Sequence, residues 1–415
     1  MKKEHYAWAI CFAGALLIFI SMGVVSNGFA IFLPYIRDEF GLTNAQTSAL
    51  VTVRLIMNFV SLLFIGIYYD RLNIRLGATV SVGFAVAGFF MYSIAKTFFG
   101  FLAAAAVAGL TYGLGSMVPA SILMNRWFYR HKALAISICS AGSGVGSILV
   151  PPVITGLLSM MSLGQVFRLI AFFMLTSMAV IFMIIRNDPH ELGLGRCGEY
   201  HSGLKEAAAS DMVKAAPDKG RLPASVMVIA CASCFLMGAQ GNPGMSHVPV
   251  LYNAEGFTTV FCATLLSIIG IALTVGKIAL GEITDKIGSY GSTVVFCGFL
   301  VLGNFLCSMA GVAGATSDQT GAMLAIISVS VLGAGYSIST IGPSIWAGNL
   351  ASEMEYAGVL RSFQLNYAFG ALVTGTVPGI LADHFGGSYV PAFALFTVLA
   401  LAASVLMVIA YRKRG

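Results

Sequence analysis

The chain has 415 residues, of which 58% are apolar and only 10% charged, with a mean hydropathy of +0.88. A soluble domain carries roughly a quarter charged residues, so a water-filled surroundings for the whole surface is excluded. The net charge of +6 reports the sidedness argued below and not nucleic-acid binding.

Apolar stretches of about twenty residues each suffice to cross roughly 30 Å of hydrocarbon, and inside a bilayer only helices and closed barrels satisfy their backbone. Read in chain order, they predict an all-α membrane protein with twelve transmembrane helices. Span 1 covers 7–36 and carries Asn27 and Pro34. It is too long for a signal-peptide core and lacks a convincing cleavage site, so it reads as a retained helix. Span 2 (44–69) holds Arg54 and ends at Gly66, Asp70 and Arg71; Arg75 precedes span 3 (77–95). Span 4 (99–125) carries Gly109 and Tyr112, span 5 (133–158) a glycine-rich run followed by Pro151 and Pro152, and span 6 (165–186) completes the first half. The segment 187–223 is polar and reads as a solvated tether. Span 7 (224–252) contains Gly241, Asn242, Pro243, Gly244 and His247; span 8 (259–284) contains Lys277 and leads into Gly281, Asp285 and Lys286. Span 9 (291–311), span 10 (321–347, with Tyr336), span 11 (357–382, with Arg361 and Asn366) and span 12 (389–411) finish the chain.

With both termini in the cytoplasm, seventeen of the 23 Lys and Arg residues fall on the inner side, against Arg37, Lys96 and Arg168 outside. The positive-inside rule therefore places a multi-pass protein in the cytoplasmic (inner) membrane with internal termini. The eight cysteines are scattered apart from Cys231 and Cys234. Without a second pair or nearby His ligands, those two read as packing residues.

The chain repeats itself. At an offset of 215, Asn27, Pro34, Gly41, Thr43, Gly66 and Asp70 fall on Asn242, Pro249, Gly256, Thr258, Gly281 and Asp285. At an offset of 224, Gly109, Tyr112, Pro119, Asn125 and Gly146 fall on Gly333, Tyr336, Pro343, Asn349 and Gly370. The division expected is a six-helix bundle over 1–186, a linker over 187–223 and a second, pseudo-symmetric six-helix bundle over 224–415. There is no GxxxxGK[ST] phosphate loop and no enzyme motif, so neither an ATP-driven pump nor an enzyme is indicated, and no cofactor is implied.

Gly66, Asp70, Arg71 and Arg75 resemble the Gly-x-x-x-Asp-Arg-x-Gly-Arg-Lys signature of the major facilitator superfamily, with Asn73 and Ile74 standing where the signature has Gly and a basic residue. Gly281, Asp285, Lys286 and Gly288 resemble its second-half echo. The resemblance implies the major facilitator fold and a gating latch on the cytoplasmic side, Asp70 acting against span 11 and Asp285 against span 5. Asn125-Arg-Trp-Phe128, the glycine run 141–146 with Pro151 and Pro152, the segment 188–193 and the stretch Ser246–Lys277 look like the monocarboxylate and oxalate/formate porter branch. There a basic residue on span 8 meets a substrate carboxylate, which points to Lys277. Leu273 stands where several members carry a polar or acidic partner, and Asn366 where oxalate-type members carry lysine. The placement of Arg54, twelve residues before Gly66, resembles the anion-binding arginine of nitrate/nitrite porters.

An ionisable group held in hydrocarbon costs a few kcal/mol, which marks function unless the group can reach water. Arg54 lies about 16 Å along span 2 and cannot easily snorkel out, whereas Lys277 lies about 12 Å from the inner boundary. The guanidinium suits bidentate recognition of a carboxylate; the alternative is a structural Arg satisfied by Asn58, helix-end carbonyls or cavity water. His247 lies in a proline- and glycine-broken helix and is the candidate proton carrier, with a packing role as its alternative. All 17 Asp and Glu residues fall in loops or at span ends, so a cavity with two fixed cations prefers an anion. Asn27, Asn242, Tyr112, Tyr336 and Asn366 are candidate polar helpers, or simply helix-to-helix hydrogen bonds. Gly66, Asp70, Arg71, Arg75, Gly281, Asp285, Lys286 and Arg361 are candidate gating residues, the alternatives being charges that merely cap helices at the surface and, as the favoured reading for Arg361, a surface ion pair at the cytoplasmic mouth beside Glu353 and Glu355.

The expectation is a secondary transporter of a small organic anion, a monocarboxylate or short dicarboxylate, working by alternating access as proton symporter or anion exchanger. Its partners are that anion, protons and the lipid bilayer, with no nucleic acid and no obligatory protein partner. The alternatives are export of hydrophobic or drug-like compounds, an inorganic anion porter, and a sensor that kept the fold.

Overall fold

The protein is described from a computed structural model covering residues 3–198, 221–311 and 318–414. Among the described residues, ten helices are long and apolar enough to cross a membrane. Two of them, Asn44–Ile94 and Thr259–Ser308, each bend sharply at an internal residue of positive φ, Asn73 (42°) and Gly288 (82°). Each is therefore two crossings, and ten long helices become twelve spans. Among the described residues the only β-pairing is an isolated bridge between Phe128 and Cys197. The chain divides into two compact units, Met1–Ala216 and Pro217–Gly415; residues 199–220 of the linker lie outside the described residues.

The two breaks have the same cause and different chemistry. Asn73 and Gly288 are 215 residues apart, the repeat offset, and both take up a backbone conformation that L side chains rarely adopt. Glycine does so without steric cost. Asparagine is the other residue type enriched at positive φ, and the Asn73 side chain accepts a hydrogen bond from the Leu76 N–H at 3.0 Å. It thus ends span 2 and caps span 3 at once. Thr43 starts the first long helix with a capping box to Gln46, and its repeat counterpart Thr258 accepts from the Phe261 N–H at 3.3 Å.

Span 1 is not the uniform α-helix that its apolar run suggests. It runs as α-helix over Lys3–Ile18, π-helix over Phe19–Asn27, 3-10 helix over Gly28–Ile31 and α-helix again over Phe32–Phe40. Span 4 breaks between Phe98–Leu114 and Met117–Trp127, and span 11 between Tyr356–Thr374 and Val377–His384. Stretches of π-helix are rare and mark functional sites more often than chance.

Packing inside each unit follows one scheme. Spans 2 and 3 lie on span 4, and spans 1 and 5 on each other; spans 8 and 9 lie on span 10, and spans 7 and 11 on each other. Small residues permit these approaches in the absence of a hydrophobic drive between helices. A Cβ on Gly109 would come within 2.7 Å of the Arg54 carbonyl oxygen. Its counterpart Gly333 would meet the Ile269 carbonyl at 2.9 Å, and Ile269 is the residue 215 positions after Arg54. One contact runs in reverse: Gly113 faces the Ser61 hydroxyl, whereas Ser337 presents its hydroxyl to Gly276. The inside of the first unit is an aromatic cluster of Phe29, Phe32, Phe89, Tyr92, Phe101 and Phe167, all at most 2% exposed.

Candidate functional site

In the first unit the site is built on Arg54. Its side chain is buried at 4% exposure. Nη1 donates to the Val25 carbonyl oxygen at 2.8 Å, within the π-helical stretch of span 1. The guanidinium carbon lies 4.6 Å from the centre of the Phe29 ring, a cation–π contact worth up to about 2 kcal/mol when desolvated. Nε has no hydrogen-bond partner among the described residues, and no carboxylate among them pairs with this charge. An arginine has five N–H donors in a fixed fork. The fork is thus mostly unspent, in a place where leaving a buried donor unsatisfied costs about 1–3 kcal/mol.

Tyr92 and Tyr112 both interact electrostatically with Arg54. The Tyr92 ring packs 4.9 Å from that of Phe29, and its hydroxyl is buried without a partner among the described residues. Tyr112 is half-buried on span 4. Asn27 is exposed and donates through Nδ2 to the Ser147 hydroxyl at 2.7 Å, tying span 1 to span 5.

In the second unit Lys277 is buried at 2% exposure on span 8. The preceding Gly276 lies against Ala334 and Ser337 of span 10. By the repeat, Lys277 corresponds to Leu62 and Arg54 to Ile269, so the two cations are not symmetry copies. Lys277 stands eight positions further along its span than the counterpart of Arg54, about 12 Å.

Span 7 carries a polar framework in the same unit. Pro243 lacks an N–H and so leaves the Ala239 carbonyl without its helical partner. The Thr374 hydroxyl of span 11 fills that gap, donating at 2.7 Å to Ala239 while sharing its hydrogen with the Gly370 carbonyl at 2.7 Å. Gln240 and Asn304, both fully buried, are joined by a 3.3 Å hydrogen bond from Asn304 Nδ2, and Asn304 Oδ1 has no partner among the described residues. Tyr336 packs its hydroxyl against Gly244, also without a partner among the described residues.

His247 stands about 10 Å from the end of its helix, Ala224–Ala254. Its ring stacks on Tyr389 at 5.7 Å between centroids. Nδ1 lies 2.7 Å from the Pro243 carbonyl oxygen. A carbonyl only accepts, so Nδ1 carries the hydrogen and Nε2 is the atom left to gain or lose a proton. Asn366 donates to the Ser362 carbonyl of its own helix at 2.8 Å. Asn242 lies on the same helix as His247, with its side chain outside the described residues.

All the gating candidates except Arg361 lie within two turns of the breaks at Asn73 and Gly288. Asp70 and Arg71 are exposed just before Asn73, with Gly66 half-buried one turn earlier. Arg75 donates through Nε to the Phe182 carbonyl at 2.9 Å, lies 4.1 Å over the Phe182 ring, and receives the Asn187 side chain on its own N–H. It fastens the break to span 6. Gly281 is buried, Asp285 is exposed, and Lys286 pairs with Glu282 at 2.7 Å. Arg361 is half-buried on span 11; the nearby Glu355 accepts from the Leu222 N–H at 3.1 Å and the Ser352 hydroxyl at 3.3 Å.

Phe29, Tyr92, Gln240, Asn304 and Thr374 escaped the sequence reading. Gln240 and Asn304 carried a usable signal, since an amide in a continuous apolar run needs a partner. Phe29 and Tyr92 carried none.

Residues 12–364 match the model of the Major Facilitator Superfamily, and the chain belongs to that superfamily. It is a multi-pass membrane transporter and not an enzyme. Among curated proteins it is 26% identical over 401 residues to the MFS-type transporter hasB of Aspergillus fumigatus, covering 92% of this chain and 84% of that one. It is 24% identical over 301 residues to monocarboxylate transporter 12 of Mus musculus, covering 68% and 61% respectively. The fold matches that of the proton:xylose symporter XylE with a TM-score of 0.72, and the fucose:proton symporter FucP of E. coli with 0.61. The identities there are 14% and 15%, over 97% of this chain and 95% and 98% of those chains, which speaks for the fold alone.

Proposed function

We propose that the protein transports a small organic anion, a monocarboxylate or short dicarboxylate, with Arg54 and Lys277 as its charge-recognising residues. The observation that carries this reading is the buried Arg54 fork, with a single backbone hydrogen bond and no carboxylate partner among the described residues. A carboxylate supplies both the missing charge and the bidentate acceptor. The likeness to a protein named monocarboxylate transporter supports the same substrate class.

Transport proceeds by alternating access in the inner membrane with both termini cytoplasmic, Asp70, Arg71 and Arg75 and their counterparts Asp285 and Lys286 acting at the gates. Coupling runs through a proton on His247 Nε2, with Tyr112, Tyr336, Asn27, Asn242 and Asn366 as polar helpers to the substrate path. The alternative coupling is exchange of one anion for another.

Purified protein in proteoliposomes preloaded with C1 to C4 mono- and dicarboxylates, or with nitrate, tests both parts. Uptake of a carboxylate that requires an inward proton gradient supports the reading. Counterflow indifferent to the gradient replaces symport with exchange, and uptake of nitrate alone replaces the organic anion with an inorganic one.

A further inference from the structure

We propose that the groove between spans 9 and 12 is a binding site for one anionic phospholipid, separate from the substrate path. The groove lies wholly in the second unit, has a volume of about 590 Å³ and is walled by residues 293–305 and 397–412. These stretches measure roughly 18 and 22 Å along their helices, against roughly 15 Å for the hydrocarbon of a single leaflet. Leu302, Phe305, Leu401 and Val405 line it and are all exposed. Its floor is opened by Gly298, where a Cβ would meet no atom within 4 Å. Gly303, five residues on, is by contrast packed on Leu332 of span 10. The missing side chain at 298 therefore admits something other than a neighbouring helix.

The charge sits at one end. Arg412 is the single charged residue of the lining, is exposed, and has neither ion pair nor hydrogen bond among the described residues. Lys413 follows it, also exposed. An apolar slot about one leaflet deep that ends in a guanidinium matches an acyl chain below a phosphate. Guanidinium takes a phosphate bidentately, and basic residues at the membrane surface draw anionic lipid toward them. A zwitterionic headgroup brings its own cation to the same place and gains less.

Native mass spectrometry of the full-length protein, released from micelles doped with phosphatidylglycerol or phosphatidylcholine of matched chains, tests the site. The wild type should retain one more phosphatidylglycerol than phosphatidylcholine. Gly298→Leu, whose Cβ would meet no atom within 4 Å and whose side chain would occupy the groove, and Arg412→Gln should each lower that occupancy about fivefold or more, while Arg412→Lys keeps most of it. The melting temperature in lipid-free detergent should not move for Gly298→Leu, which separates a plugged groove from a damaged fold. Equal retention of the two lipids by the wild type, or undiminished phosphatidylglycerol on both Gly298→Leu and Arg412→Gln, overturns the proposal.

Discussion

Arg54 Nη1 donates to the Val25 carbonyl oxygen at 2.8 Å, so the buried cation of the first unit is held by a π-helical backbone and not by a carboxylate. A neutral carbonyl satisfies one donor and leaves the charge uncompensated. On the proposed reading, a carboxylate substrate would displace this weak partner from the guanidinium.

Removing that charge should therefore act on binding before it acts on folding. Hydrogen bonds to charged groups contribute about 1.5–3 kcal/mol, so Arg54→Ala should raise the half-saturating concentration of the transported anion by about 10- to 150-fold. Arg54→Lys keeps the charge but loses the planar fork and should fall between. Dose-dependent thermal stabilisation by the anion measures this. Unchanged half-saturation in Arg54→Ala would remove Arg54 from the site.

Gly109 offers a way to disturb the same site without touching the guanidinium. A Cβ there lies 2.7 Å from the Arg54 carbonyl oxygen and 3.0 Å from its Cα, both backbone atoms that cannot swing aside. Gly109→Ala should lower the melting temperature and weaken anion binding together. Gly156→Ala, where nothing lies within 4 Å, is the neutral control.

The Pro243 and Thr374 pair makes a double-mutant cycle. Thr374→Val leaves the Ala239 carbonyl unpartnered and should cost about 1–3 kcal/mol. In a Pro243→Ala background the helix supplies its own N–H, and the same substitution should cost little. Additive losses in melting temperature would show that the threonine is not compensating for the proline.

At Asn73 two effects pull apart under substitution. Asn73→Ala loses the cap on Leu76 and faces left-handed strain, a combined cost of about 1–3 kcal/mol. Asn73→Gly loses only the cap and gains the freedom that Gly288 already enjoys in the second unit. The order of melting temperatures should be wild type and glycine close together, alanine clearly lower.

His247 tests the coupling. His247→Gln retains a donor for the Pro243 carbonyl but removes Nε2, the nitrogen on which the proposed coupling rests. Uptake should lose its dependence on the proton gradient while counterflow persists. A gradient dependence equal to the wild type would place the proton elsewhere.

Much of the fold was legible because hydrophobic length and the repeat are written directly in residue types: Thr43 and Thr258 cap corresponding helices, and Gly109 and Gly333 make corresponding close approaches, in the two units. The winding of span 1 was not legible: Ser21, Gly23, Ser26, Asn27 and Gly28 weaken the helix there, but nothing in Phe19 to Ile31 specifies π and 3-10 geometry. Arg54 and Lys277 stood out as charges in apolar runs. The partners of Arg54 did not, because one is a backbone carbonyl and another is a phenylalanine among many. His247 was visible as a titratable group, but its tautomer depends on a carbonyl four residues back.

The Ser61–Gly113 contact and its reversed counterpart Gly276–Ser337 constrain the history of the chain. The two units related by the repeat hold opposite solutions for the same crossing, hydroxyl on the earlier helix in one and on the later helix in the other. A serine on both sides would force the helices apart at a point where each already needs a glycine. A stepwise path between the two arrangements that keeps the crossing closed therefore passes through glycine on both sides, the ancestral or intermediate state being the looser and less polar one.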